Sequence, residues 1–183
     1  FGEALFTHEG ISGPIVLTTS SRINRYAPEK LSVFIDLKPA LSEKSLDERV
    51  LRDFAKYSGK QLKNALFDLL PSSLVPRVIS SAGLDGEKKI SVISARERAS
   101  LVKTLKFFPI DFTSLAPVKE AIVTAGGVNV KEINPKTMES KLVRNLYFAG
   151  EVLDVDAYTG GFNLQIAFST GAAAGRAISA KKD

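Results

Sequence analysis

Leu146-Tyr147-Phe148-Ala149-Gly150-Glu151, followed by Val152-Leu153-Asp154-Val155-Asp156-Ala157-Tyr158-Thr159-Gly160-Gly161-Phe162, is the stretch on which the fold turns. Its first four residues form a compact apolar run that reads as a strand. The run stops at Gly150, where the missing Cβ lets a ligand approach the backbone closely. Glu151 beside it can accept hydrogen bonds from sugar-like hydroxyls. An acidic loop follows, and Gly160-Gly161 opens a long helix expected from about Phe162 to Ala180. The amino end of a helix has free N–H groups and the positive end of the dipole. It stabilises an anion, or a carbonyl oxygen gaining negative charge. Gly171 and Gly175 are four apart, so one face of that helix is flat. A second reading stands beside this one on spacing alone. A Gly-Gly before a helix is a turn, and small residues within a helix mean close packing.

Upstream of this run, Ala121-Ile122-Val123-Thr124 is a buried-strand candidate, followed by Ala125-Gly126-Gly127-Val128, and Asn129 to Ile133 is another strand candidate. Earlier still the texture is helical. Ser94-Ala95-Arg96-Glu97 and Ser45-Leu46-Asp47-Glu48 are each expected to be capping boxes. Leu101, Val102 and Leu105 give the first of these helices a buried face, and Leu46, Val50, Phe54 and Tyr57 do so for the second. Leu62 to Leu70 is expected to form a helix stopped by Pro71, and Pro76 to Ala82 a short helix ended by Gly83. Leu31, Val33, Ile35 and Leu37 alternate as a strand does, and Ala4 to Thr7 is a short strand. Pro14 is placed to open a helix, because the first helical position needs no N–H. A lobe boundary is expected near residues 108–118.

The bulk numbers fit a globular chain: 183 residues, 44% hydrophobic and 25% charged. With no cysteine, disulfides, thiolate metal sites and cysteine nucleophiles are excluded. One histidine and scattered carboxylates show no ligand spacing, so no metal is expected. No apolar run is long enough to span a bilayer, and no membrane association is expected. A cytoplasmic location fits. The opening Phe1-Gly2-Glu3, without Met or a signal pattern, leads to the expectation of a cut fragment. The net charge of +5 lies in residues 1–108, with 17 Lys/Arg against 12 Asp/Glu, while residues 109–183 hold 8 of each. These basic residues are scattered among acids rather than clustered with aromatics, so nucleic acid is not expected as a partner.

Val143 to Glu151 resembles the late strand of flavoproteins with two dinucleotide-binding folds, in which a Gly-Asp pair ends the strand and the Asp meets the flavin ribityl chain. Here Glu151 stands in that place. Glu151 through Gln165 resembles, more specifically, a bacterial family of NAD(P)/FAD-dependent oxidoreductases that includes bile-acid dehydro-reductase and aminoacetone oxidase. Leu5 to Pro14 and Thr124 to Lys141 resemble it as well, in the same order along the chain. The resemblance implies an α+β (mixed α/β) chain. Residues 1–108 would be an inserted helical/β domain over the substrate, and residues 109–183 the C-terminal strand–helix portion of an FAD-binding Rossmann-like domain.

The resemblance also implies site residues. Gly150 and Glu151 would hold the ribityl or pyrophosphate region of FAD. Gly161, Phe162, Asn163, Leu164 and Gln165 would bring backbone N–H groups to the flavin pyrimidine, where reduction places negative charge. Gly126 and Gly127 would let the chain pass the isoalloxazine. The expected chemistry is hydride transfer through flavin N5 to or from a small-molecule substrate, with NAD(P)H as one candidate electron donor. Catalytic residues are not identified. The family's Gly-rich dinucleotide fingerprint is absent from this chain. The expectation is therefore that it belongs to a missing N-terminal part of the same enzyme, and that residues 1–183 alone bind FAD weakly and are inactive.

Other candidates are open. His8 could act as an acid or base, or merely stabilise a loop. Ser12-Gly13-Pro14 could present N–H groups to an anion, or simply cap a helix. Tyr158 could reach a substrate or anchor its loop, and Asp154 and Asp156 could shape that loop. The rival to the oxidoreductase is a non-enzymatic basic module that binds nucleic acid or a protein partner.

Overall fold

The computed structural model describes residues 1–181. In chain order it holds β1 (Leu5–Phe6), β2 (Ile11–Ser12), α1 (Pro14–Ile23), β3 (Val33–Ile35), α2 (Glu43–Lys56), α3 (Leu62–Ala65), α4 (Val75–Ser81), α5 (Ala95–Lys106), β4 (Phe108–Ile110) and α6 (Phe162–Ser179). The chain is thus of mixed α and β structure. It divides into two units. One comprises Phe1–Ala27 with the chain from Ser114 onward, and the other is Pro28–Thr113. This differs from the expectation of one lobe over 1–108 and another over 109–183. Residues 1–27 group with the C-terminal segment because α1 is bonded to it: the Ser21 hydroxyl donates to Asp156, and Arg22 donates to the Tyr158 hydroxyl.

Pro28–Thr113 owns the larger core. Leu46 and Val50 of α2 pack with Leu101 and Leu105 of α5, and Leu62, Leu66, Val75 and Val78 complete the cluster. Each fully buried leucine contributes on the order of 2 kcal/mol. α5 begins as the spacing predicts: Glu97 N–H donates to Ser94 Oγ at 3.2 Å, and Ser94 N–H donates to Glu97 Oε2 at 2.8 Å. α2 begins one turn earlier than its expected box. Ser42 is the cap, accepting from Ser45 N–H at 3.1 Å, so Ser45 lies inside the helix. Glu43 and Lys44 are good helix formers and extend the first turn over the buried Leu46. The expected Leu62–Leu70 helix is a single turn. Beyond it the N–H groups of Leu69 and Leu70 both donate to the Leu66 carbonyl, and a tight turn still buries both leucines. β3 and β4 pair antiparallel, with Val33 opposite Ile110 and Ile35 opposite Phe108.

In the other unit β1 and β2 form a short hairpin, with Phe6 opposite Ile11. Its small core is Ile133, Met138, Leu153 and Ala174. Three expected strands are not formed. Ala121–Thr124 is irregular, with Ile122 exposed; Val130–Glu132 is a 3-10 turn; Leu146–Ala149 is irregular and leads into a 3-10 turn at Gly150–Val152. A strand needs a neighbour to pair with along its length. Among the described residues this unit offers single bridges instead, Val128 to Leu153, Ile133 to Ser140 and Glu139 to Tyr147.

Candidate functional site

The helix expected after the paired glycines is present. Gly160 and Gly161 both have positive φ, 114° and 92°, a conformation that favours glycine. Gly161 is the N-cap of α6, and no side chain caps it. The first intrahelical bond runs from Gln165 N–H to the Gly161 carbonyl at 3.0 Å. The N–H groups of Phe162, Asn163 and Leu164 are left without an acceptor among the described residues. A Cβ placed on Gly161 would meet open space. α1 makes a useful contrast. Its N-cap is Gly13, without a side-chain cap, but the Glu3 carbonyl accepts from Ile15 N–H at 3.2 Å. A Cβ on Gly13 would come within 3.0 Å of that same oxygen. The protein's own backbone thus fills the amino end of α1, and Ser12-Gly13-Pro14 serves as a helix start. The amino end of α6 is the one that faces outward.

The loop feeding α6 is fixed by its own residues. The Asn163 side chain accepts from Ala157 N–H at 2.8 Å and donates to the Ala157 carbonyl at 2.9 Å. Asp156 accepts from the Ser21 hydroxyl, and the Arg22 guanidinium lies over the Tyr158 ring, 5.4 Å from its centroid, while bonding its hydroxyl. Tyr158 and Asp156 therefore anchor the loop. Sequence reading missed Ser21 and Arg22, since nothing local in α1 marks them as partners of residues near 157.

Gly150 has φ +77°, and its N–H donates to Thr170 Oγ1 at 2.9 Å, tying it to α6. Glu151 next to it is exposed, and one of its oxygens, Oε1, accepts both from Thr124 N–H at 2.7 Å and from Thr124 Oγ1 at 2.8 Å. These two bonds, the backbone one first, hold its carboxyl below the usual range, so it is ionised at neutral pH. Its other oxygen has no partner among the described residues. Thr124 is a third residue that the sequence reading missed as a site partner, because it fell in an expected strand. Gly127 lies against the turn after Glu151. Val128 N–H donates to the Val152 carbonyl at 2.8 Å, and Asp154 N–H to the Val128 carbonyl at 2.9 Å. Gly126, with φ +97°, has open space where a Cβ would be. Gly126, Gly127, Gly150, Glu151 and Gly161 to Gln165 thus all belong to one unit. Hydrogen bonds join Gly150 to α6, Thr124 to Glu151, and Val128 to the turn at Val152–Asp154.

The remaining candidates lie apart. His8 is almost fully exposed on the β1–β2 turn, 3.6 Å from Glu9, with no buried partner that would make it an acid or base. Gly171 and Gly175 meet no neighbour within 4 Å, so the flat face of α6 is open rather than packed. Phe162, Leu164 and Phe168 on the same helix are also exposed. Among the described residues there is no cluster of metal-ligating side chains, and no helix long and apolar enough to cross a membrane.

An HI0933-like protein Rossmann domain model matches residues 13–177. The chain is 37% identical over 179 residues to a ribosomal RNA dihydrouridine synthase of Haemophilus influenzae, covering 98% of this chain and 43% of that protein. A ribosomal RNA dihydrouridine synthase of Escherichia coli is 33% identical over 180 residues, with 97% and 42% covered. A 3-dehydro-bile acid delta(4,6)-reductase of Clostridium scindens is 30% identical over 178 residues, with 96% and 44% covered. The chain spans less than half the length of the curated relatives it matches.

Proposed function

The chain belongs to the HI0933-like Rossmann-domain family, a family of the flavoprotein oxidoreductase type, and from that premise we propose that it forms the C-terminal part of an FAD-dependent enzyme that reduces a carbon–carbon double bond. The observation that carries this reading is the uncapped amino end of α6 behind Gly160-Gly161. FAD, when bound, supplies hydride transfer through its N5. The chain's residues fit such a group. Phe162, Asn163 and Leu164 offer backbone N–H groups, and the helix dipole favours the negative charge that reduction brings. Gly161 and Gly126 each leave open space where a Cβ would be, Gln165 closes the first turn of α6, and the unpartnered oxygen of Glu151 would accept from a ribityl hydroxyl. Gly150 positions Glu151, and Gly127 lets two backbone segments meet beneath it. The Gly-rich dinucleotide motif and the cover for the apolar side of α6 come from the remaining part of the protein, which acts in the cytoplasm.

The relatives' names share one chemistry. A dihydrouridine synthase adds two hydrogens to uridine, and a delta(4,6)-reductase adds hydrogen to double bonds. The substrate proposed here is uridine in ribosomal RNA, because the two synthases are 37% and 33% identical and the bile-acid reductase 30%, at like coverage. This departs from the expectation of a small-molecule substrate without nucleic acid. Uridine gains one hydride and one proton across its ring double bond, with NAD(P)H as the two-electron donor. The test uses the full-length protein. It is expected to purify yellow with a flavin spectrum, and to turn over NAD(P)H only when unmodified ribosomal RNA is added, each modified uridine gaining the mass of two hydrogens. Turnover with a 3-dehydro bile acid and none with RNA would move the substrate to the steroid class. A colourless protein that takes up no FAD would end the oxidoreductase reading in favour of a binding module.

A further inference from the structure

An enzyme acting on RNA needs a surface that meets phosphates and bases, and the charge of this chain is unequally shared. Pro28–Thr113 holds 15 Lys/Arg against 11 Asp/Glu, a net +4; the rest of the chain holds 10 against 9, a net +1, which together make the chain's +5. Six of the cations in Pro28–Thr113 are neutralised in ion pairs. Arg52, Lys60 and Lys89 are exposed and meet no carboxylate among the described residues.

Of these three, Lys60 lies against an aromatic ring, and backbone neighbours carry the other two. Arg52 and Lys56 are four apart on α2 and share a face. Lys56 and Lys60 both set their ammonium groups against the Tyr57 ring, 4.7 and 4.6 Å from its centroid. Asp68 fixes this arrangement, accepting from Lys56 at 2.6 Å and from the Tyr57 hydroxyl at 2.5 Å. The residue before it, Phe67, is 54% exposed. Lys89 is brought beside Lys60 by backbone bonds: Ile90 N–H donates to the Lys60 carbonyl at 3.0 Å, and Leu62 N–H to the Lys88 carbonyl at 2.9 Å. The helix dipole accounts for cations in the last turns of α2. It does not account for Lys60 and Lys89, which lie beyond the helix. Exposed cations near an exposed aromatic ring, here Phe67 rather than the half-buried Tyr57, are what unstacked RNA uses, phosphates meeting the charge and bases stacking on the ring.

We infer that the surface carrying Arg52, Lys56, Tyr57, Lys60, Phe67 and Lys89 is an RNA-contacting face. The inference rests on the RNA reading given above and adds where this chain meets that substrate. The test is fluorescence anisotropy of labelled ribosomal RNA fragments with the full-length protein over a salt series. The variants are the pairs Lys60→Glu with Lys89→Glu and Lys60→Gln with Lys89→Gln, and the single change Phe67→Ala, each checked by melting temperature and flavin content. Charge reversal is expected to weaken RNA binding at least about tenfold and to lower the slope of log K against log salt by about 2. The Gln pair is expected to do the same to a smaller degree, and Phe67→Ala to weaken binding about fivefold or more without changing the slope. Flavin content and the single-turnover reduction of bound flavin by NAD(P)H without RNA are expected to stay as in the parent. Unchanged RNA affinity and slope in both folded Lys pairs would overturn the face while leaving the RNA reading intact. A parent protein that binds no RNA would remove both. Equal affinity and equal loss on duplex DNA would also overturn the inference, by marking a general polyanion surface.

Discussion

Replacing Gly127 with alanine tests how the chain beneath the candidate site is held. A Cβ at this position would lie 2.4 Å from the Val152 carbonyl oxygen, 2.8 Å from the Leu153 carbonyl carbon and 2.9 Å from the Asp154 nitrogen. All three are backbone atoms, so no side chain can swing aside. Relief requires the two segments to part by about 1 Å to reach ordinary van der Waals contact. That breaks the bonds from Val128 N–H to Val152 and from Asp154 N–H to Val128, and lifts Leu153, now 3% exposed, from its small core. Two backbone bonds at about 1 kcal/mol each, the strained φ and part of a leucine's burial come together to about 3–5 kcal/mol. Gly126→Ala is the control, because it has φ +97° and nothing within 4 Å of its Cβ position. It should cost only the backbone strain, about 1–2 kcal/mol. Hydrogen exchange at the Val128 and Asp154 amides reads the difference. With each 1.4 kcal/mol worth a factor of ten, Gly127→Ala is expected to speed both by about 100-fold or more. Equal effects of the two substitutions, or unchanged exchange in Gly127→Ala, would refute the reasoning.

Ser94→Ala removes the capping box of α5 and is expected to destabilise by about 1 kcal/mol, read as a lower denaturant midpoint with an unchanged slope. The Lys88 ammonium, with the backbone N–H and hydroxyl of Ser94, holds the Glu97 carboxyl down to about 2 from an ordinary value of 4.5. An acid depressed by folding adds stability that is full above its unfolded value and lost as pH falls from about 4.5 towards 2. Glu97→Gln should therefore flatten acid unfolding within that window and lower stability at neutral pH; an unaltered acid limb would count against the ion pair. Arg22→Ala frees the Tyr158 loop and is expected to raise the FAD dissociation constant of the full-length protein, measured by flavin fluorescence, with little change in melting temperature. If affinity is unaltered, the loop is not held from α1.

The helix starts that residue type dictates were legible in the sequence. Ser94 with Glu97, Pro14 and Gly160-Gly161 each mark an observed start, because a cap or a positive φ is a local demand. The buried face of α5 was legible for the same reason. Ser45 misled because Ser42, three residues earlier, satisfies the same chemistry and leaves room for another turn. The apolar runs Ala121–Thr124 and Leu146–Ala149 misled because an apolar tetrad specifies burial or pairing without supplying the partner strand. The grouping of residues 1–27 with the C-terminal segment hangs on bonds spanning 135 and 136 positions, which no local pattern encodes.

The antiparallel pairing of Val33 with Ile110 has an evolutionary corollary. It draws the entry and exit of Pro28–Thr113 alongside one another, so the polypeptide that departs near Ala27 and resumes near Ser114 does so through what amounts to a narrow doorway. A module with such an adjoining entrance and exit, and with its own apolar interior, can be enlarged, trimmed or exchanged without re-routing the flanking chain. Descendants of one ancestor can in this way keep the flanking chain while refitting this module alone.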